Sequence, residues 1–335
     1  MKRQQKGHVG LTFVLVLFFN ITLMAQTNII FDTDFGGDAD DLGALAMLNH
    51  FHNKEECKLL AVMCWNTEQY AVSAIDAVNT FYGNSEIPVG KRAEDAQRTE
   101  WNHTKVLADS LRHDATLENA METTALYRKL LGKAQDQSIT LVTVGPLLNI
   151  KRLIDSKADM YSPLSGRELM KAKVKEFVIM GGQFPTGERK EWNFDGNMSG
   201  ITKYVVQHLN EIPTTYLGYE IGLDIKTGEV FNELPKGSPL YLGFYHFSKN
   251  APWLNHQFKG KIYDNSTYDQ TAVLYAVRDG VGKYWTRSEN GICIPDDEGR
   301  NTWEAADTSK HSYLVLQWPI EKMETEIEKF MLGNF

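Results

Sequence analysis

Cysteine is scarce in this chain: Cys57, Cys64 and Cys293 are the only three in 335 residues. Their spacing matches no zinc pattern, and at least one thiol must stay free within a monomer. A Cys57–Cys64 bridge is conceivable in an oxidising compartment, but it would be strained if both residues lie on one strand. Basic residues are also in deficit, with 35 Lys and Arg against 43 Asp and Glu and a formal net charge of −8. That balance provides no footprint for a nucleic-acid polymer and favours a small-molecule partner. After the opening residues there is no apolar run approaching the roughly 20 residues of a membrane span. Internal repeats, low-complexity tracts and linkers are likewise lacking, so nothing divides the chain into several domains.

The first 25 residues differ from everything that follows. Lys2, Arg3 and Lys6 supply a positive start, and Leu11 to Ala25 supply an apolar run interrupted by Asn20 and Thr22. This pattern reads as an export signal at residues 1–25, cleaved near Ala25. An uncleaved anchor is the alternative, but the run is short for a span and carries polar breaks. The expected mature protein is therefore residues 26–335, exported to a periplasmic or extracellular compartment, with no stable membrane insertion after cleavage.

Within those residues, β-branched apolar runs alternate with helical patterns, which predicts a single α/β domain with a central, mostly parallel sheet flanked by helices. Strands are expected at 28–31, 58–64, 138–144 and 174–180, with a short edge element at 87–90. Helices are expected at 41–51, 68–82 and 117–131 from apolar residues recurring at helical spacing. Gly145-Pro146 and Gly181-Gly182 stop two of the strands. Open parallel sheets bind ligands beyond the carboxyl ends of their strands, so the residues after each strand are the site candidates.

The first such loop is the most informative. Asp32, Asp34, Asp38, Asp40 and Asp41 place five carboxylates within ten residues, directly after Ile29-Ile30-Phe31. Grouped carboxylates repel unless a cation neutralises them, and hard oxygen donors suit Ca²⁺ or Mg²⁺ better than zinc. A solvated turn, with Asp40 or Asp41 capping the next helix, is the simpler alternative. An EF-hand is excluded, because Gly36 and Gly43 stand where its fifth and twelfth ligands belong. A dehalogenase-type phosphatase also begins with Asp-x-Asp after a strand, but Gly36 replaces its usual Thr or Val.

The loop and the following Leu42-Gly43-Ala44-Leu45 resemble the signature of the inosine-uridine-preferring nucleoside hydrolase family. Further matches follow in the family's order: Asn66, then Val144 to Asn149, Val178 to Gly182, Glu191-Trp192-Asn193, and Tyr268-Asp269 leading into Ala272. The resemblance runs from about Ile29 to Ala276. It implies a Ca²⁺-dependent hydrolase that cleaves the N-glycosidic bond of ribonucleosides to ribose and free base, in purine or pyrimidine salvage. It further implies Asp34 as catalytic base and metal ligand, with Asp41, the Val144 carbonyl and Asp269 completing the metal site. Asp40, Asn66, Glu191 and Asn193 would hold the ribose, and Tyr268 would face the substrate.

The departures from the pattern fall mainly on the leaving-group side. Two extra residues separate Asp34 from Asp40-Asp41, which leaves the roles of Asp38 and Asp40 open to exchange. Pro185 stands where an Asn is common, Asn197 where an Asp is usual, and Tyr268 where a His often assists departure of the base. His246 and His256 are alternative acids, and Trp65, Trp101, Trp192 and Trp253 are candidates to stack on the base. The Tyr268 substitution also motivates a second reading, an exported nucleoside- or sugar-binding protein that keeps the metal pocket without turnover. Oligomeric state stays open, a homo-oligomer included.

Overall fold

A computed structural model describes residues 26–92, 94 and 102–335. The expected export signal and Trp101 lie outside the described residues. Seven strands of the main sheet are β1 (Thr27–Thr33), β2 (Cys57–Cys64), β3 (Val89–Lys91), β4 (Met121–Glu122), β5 (Ile139–Thr143), β6 (Val174–Met180) and β8 (Thr214–Leu217). The two-residue β7 (Thr186–Gly187) joins the same sheet at its far end. A separate pair, β9 (Lys226–Thr227) and β10 (Asn265–Ser266), stands apart from it. A C-terminal antiparallel group follows, made of β11 (Trp285–Arg287), β12 (Gly291–Pro295), β13 (Asn301–Ala305) and β14 (His311–Leu316).

The sheet order is β4-β3-β2-β1-β5-β6-β8-β14-β12-β13-β7, and every pairing from β4 to β14 is parallel. The chain moves outward from β1 through β2, β3 and β4, then returns to pair β5 on the other side of β1. Loops leaving β1 and β5 therefore diverge to opposite faces, and this switch point opens a crevice at the strand ends. β1 is buried on both faces, as its continuous apolar run requires: Ile29 and Phe31 enter one core cluster and Ile30 the other.

One face carries α1 (Asp40–Asn53), α2 (Ala71–Phe81) and three helices that follow later in the chain, α10 (Pro239–Asn250), α11 (Asp269–Arg278) and α12 (Ile320–Met331). The other carries α4 (Thr123–Lys133), α5 (Leu148–Asp155), α6 (Gly166–Lys173) and α8 (Ile201–His208). Three short helices, α3 (Thr104–Ser110), α7 (Trp192–Asp195) and α9 (Tyr219–Leu223), none longer than seven residues, and two 3₁₀ turns complete the inventory among the described residues.

Two expectations need correction. The helix expected at 117–131 begins only at Thr123, because Glu122 is extended, accepts the Ala125 N–H at 3.2 Å as its cap, and pairs with β3. That pairing also makes β3 an interior strand rather than an edge. The three cysteines are free and buried. Cys57 and Cys64 stand at opposite ends of β2, and a strand rising about 3.3 Å per residue carries them far beyond bridging distance. Among the described residues, no helix is long and apolar enough to cross a membrane.

Candidate active site

The acidic loop is held by groups behind it. Asp32, the last-but-one residue of β1, accepts a hydrogen bond from Tyr127 Oη at 2.6 Å and one from Asn149 Nδ2 at 3.1 Å. Burial pushes its carboxyl up to about 7, against the pull of those two donors. Gly36 adopts φ +118°, and a Cβ there would meet Thr104 Cγ2 at 2.5 Å and Asn102 Oδ1 at 2.6 Å, so only glycine lets the loop turn. Gly145, after β5, packs so closely on Asp34 that a Cβ would lie 2.8 Å from its backbone nitrogen and 2.9 Å from Oδ1. The switch-point loops are thus locked together. Asp32, Tyr127 and Asn149 were not singled out as site residues by sequence reasoning; Asp32 was visible in the motif, but its partners lie 95 and 117 residues away.

In front of these groups is a cavity of about 610 Å³. All the sequence-predicted residues line it: Asp34, Asp40, Asp41, Asn66, Val144, Glu191, Asn193, Tyr268 and Asp269, with Asp38 beside them. The first turns of α1 and α11 meet there. Asp40 Oδ2 accepts the backbone N–H groups of Tyr268 and Asp269 at 3.3 and 3.4 Å, and its Oδ1 accepts that of Asp41 at 3.1 Å. Asp41 accepts the Thr33 hydroxyl. Asp38 accepts Ala39 N–H at 2.6 Å and Asn265 Nδ2 at 2.7 Å. No donor among the described residues reaches the Asp269 carboxylate.

Asp40, Asp41 and Asp269 bring carboxylate oxygens within 4.8 Å of one another, all three buried. Burial first and neighbouring carboxylates second raise all three well above the usual range. Ionised together without a cation, the three carboxylates would leave buried negative charge uncompensated; a divalent cation would neutralise it. The donor set is all hard oxygen, which fits the Ca²⁺/Mg²⁺ class and does not suit soft-ligand metals. The Val144 carbonyl lines the same space and accepts Asn193 Nδ2 at 2.9 Å, which leaves its second lone pair free.

Asp34 stands just outside the trio. Trp192 Nε1 donates to its Oδ2 at 2.7 Å; burial pushes the carboxyl up to about 6, and this hydrogen bond pulls the other way. Glu191 caps α7, accepting N–H groups of Gly182 at 2.9 Å, Phe194 at 3.0 Å and Asn193 at 3.1 Å, and burial pushes it up to about 7. Asn66 accepts Glu68 N–H at 3.0 Å and donates to the Phe35 carbonyl at 3.3 Å.

A buried carboxylate cluster able to hold a hard cation, with Asp34 and several amides beside it, offers groups that could serve hydrolysis, and comparison with known proteins identifies the family. Residues 29–312 match the family described as inosine-uridine preferring nucleoside hydrolase. The chain belongs to that family. It is accordingly an N-glycosidase acting on nucleosides, of a metal-dependent family. Its fold is shared with a plant nucleoside hydrolase (TM-score 0.66, 15% identity, 91% of this chain and 98% of that one). It is shared as well with the purine-preferring ribonucleoside hydrolase of Gardnerella vaginalis (TM-score 0.62, 16% identity, 92% and 99%). An inosine-guanosine nucleoside hydrolase aligns similarly, with TM-score 0.60, 16% identity and coverage of 92% and 98%. No curated protein matches the chain.

The part of the cavity around Tyr268 in this nucleoside hydrolase differs from the carboxylate cluster. Neither His246 nor His256 lines the cavity, and no other histidine does so among the described residues. His103 is fully buried behind the acidic loop and is pushed down to about 3 by burial. Tyr268 stacks on Tyr219 with ring centroids 5.2 Å apart and planes 21° apart, and burial raises its phenol further above its already high range. Trp65, Trp192 and Trp253 line the cavity, Trp65 and Trp192 in edge contact at 6.3 Å. Asn197 also lines it, whereas Pro185 is exposed away from it.

Proposed function

We propose that this nucleoside hydrolase is an exported, Ca²⁺-dependent enzyme that releases ribose and free base from ribonucleosides. The observation that carries the reading is the buried trio of Asp40, Asp41 and Asp269 at the cavity floor beside Asp34. Asp41, Asp269, Asp34 and the Val144 carbonyl would hold Ca²⁺. Asp40, already engaged by three backbone N–H groups, is oriented to serve the sugar hydroxyls together with Asn66, Glu191 and Asn193. Bound Ca²⁺ would supply the positive charge that makes a water easier to deprotonate. Asp34 would take a proton from the attacking water as general base, while the water oxygen bonds to the anomeric carbon. As the glycosidic bond breaks, positive charge develops on the sugar ring, and the surrounding carboxylates stabilise it. The electron pair of the bond leaves with the base.

The export signal proposed at residues 1–25 is consistent with an extracellular supply of nucleosides. Assaying a panel of nucleosides with added Ca²⁺ for released ribose tests the activity; saturable binding with no free ribose from any of them would overturn it. The same panel addresses the leaving group. With no imidazole lining the cavity among the described residues and a Tyr268 phenol too weak an acid to be useful, an enzyme deprived of general-acid help should favour bases that need none. We expect p-nitrophenyl riboside to be cleaved at least about 100-fold faster than uridine. Tyr268→Phe should scale both rates by a similar factor. A selective loss on uridine would instead identify Tyr268 as the acid.

A further inference from the structure

The cavity has a cation that cleavage of a neutral nucleoside does not use. Arg92 follows β3 at its carboxyl end, lines the cavity, and is only 9% exposed. Its guanidinium lies 4.2 Å from the centroid of the Trp65 ring, the residue preceding Asn66. Its Nε lies 3.1 Å from a Glu94 carboxylate oxygen, an ion pair without hydrogen-bond geometry. Glu94, however, also accepts Arg152 Nη1 at 3.0 Å. Two guanidiniums thus rest on one carboxylate, with Asp32 acting on Arg92 only in addition, and neither the buried Nε nor the buried Nη1 of Arg92 makes a hydrogen bond among the described residues. Burying a charge that is incompletely paired is costly, and an arginine held in this way calls for an occupant.

Neutralising the acidic floor does not account for it. Arg92 bears only weakly on Asp32, which lies behind the cavity, while Asp41 and Asp269 answer to burial and to the other carboxylates. Arg92 also stands on the β3 side of the switch point, two strands from β1. Arg189, whose guanidinium lies 4.0 Å from the Tyr219 ring, and Lys190 also line the cavity. A planar guanidinium fixed against an aromatic face presents its N–H fork to a carboxylate or a phosphate.

We propose that the preferred substrates are anionic N-ribosides, carrying a phosphate or carboxylate that Arg92 pairs. This rests on the reading of the cavity as the nucleoside-cleaving site. The anion could belong to the sugar or to the base, and the test separates the two sources. Uridine, uridine 5′-monophosphate and orotidine are compared by kcat/KM in the wild type and in Arg92→Gln and Arg92→Lys. One of the two anionic substrates should exceed uridine by on the order of tenfold or more, the effect of a charge-assisted hydrogen bond. Arg92→Gln should bring that ratio close to one, and Arg92→Lys should keep part of it. Because turnover could fail for other reasons, binding of ribose 5-phosphate against ribose, and of orotate against uracil, is measured by calorimetry on the same proteins, with melting temperature as a check on folding. A wild type that favours neither anion in turnover or binding, or an Arg92→Gln variant that is folded and keeps the full ratio, would overturn the proposal. If no riboside is cleaved but an Arg92-dependent anion preference persists in binding, the hydrolase reading fails and the Arg92 site stands.

Discussion

Asp34→Asn should lower kcat by about 10²–10⁴-fold, the usual contribution of a general base, with KM changed far less. The substitution keeps the shape of the side chain and one oxygen, so the contact with Trp192 Nε1 can persist and the tight fit against Gly145 is not disturbed. What is lost is the proton acceptor. Because Asp34 is also a proposed ligand, metal content has to be measured on the same sample. A loss below about tenfold in a metal-loaded variant would remove Asp34 from the role of base.

Exhaustive chelation should abolish turnover and lower the melting temperature, and Ca²⁺ should restore both. A cation bound only by the folded state stabilises it by mass action, about 2.7 kcal/mol at a hundredfold excess over Kd. The pH dependence of the chelated protein has a definite sign. Asp40, Asp41 and Asp269 have folded-state values raised well above the ordinary carboxylate range, with Asp34 and Asp38 at about 6. Between the unfolded value near 4 and those raised values the native state binds more protons than the unfolded chain, so stability falls as pH rises through that window. The chelated protein should therefore melt higher at pH 5 than at pH 8. Ca²⁺ should reverse the order, because it favours the ionised carboxylates. Equal melting temperatures with and without chelator across this range, together with no metal in the protein and undiminished turnover, would overturn the cation site.

Much of the site could be read from sequence because its chemistry is concentrated in short segments. Five carboxylates after one apolar strand, Gly-Pro and Gly-Gly strand stops, and Glu191-Trp192-Asn193 each carry their signal within a few residues. Local patterns also located β1, β2, β5 and β6, whose burial on both faces makes them continuous apolar runs. The start of α4 was misplaced because an extended cap and a two-residue strand leave almost no periodic trace. The leaving-group side was less legible for a related reason. Whether His246 or His256 reaches the cavity depends on how α10 and the segment after it pack, and no local pattern encodes that.

The sequence by itself determined the fold class, the family, and the inventory of carboxylates and amides available for metal and sugar, since all of these follow from residue type and short-range order. Tertiary structure decided which of them meet. Asp269 joins Asp40 and Asp41 only because the first turns of α1 and α11 converge at the switch point, bringing together positions more than two hundred residues apart. The burial that lifts Asp34 toward neutrality, the Trp192 contact on its carboxylate, and the sharing of Glu94 between Arg92 and Arg152 were decided there too. Each is a property of packing, of solvent excluded and partners shared, and a linear order of residues does not specify which side chains will exclude water from which.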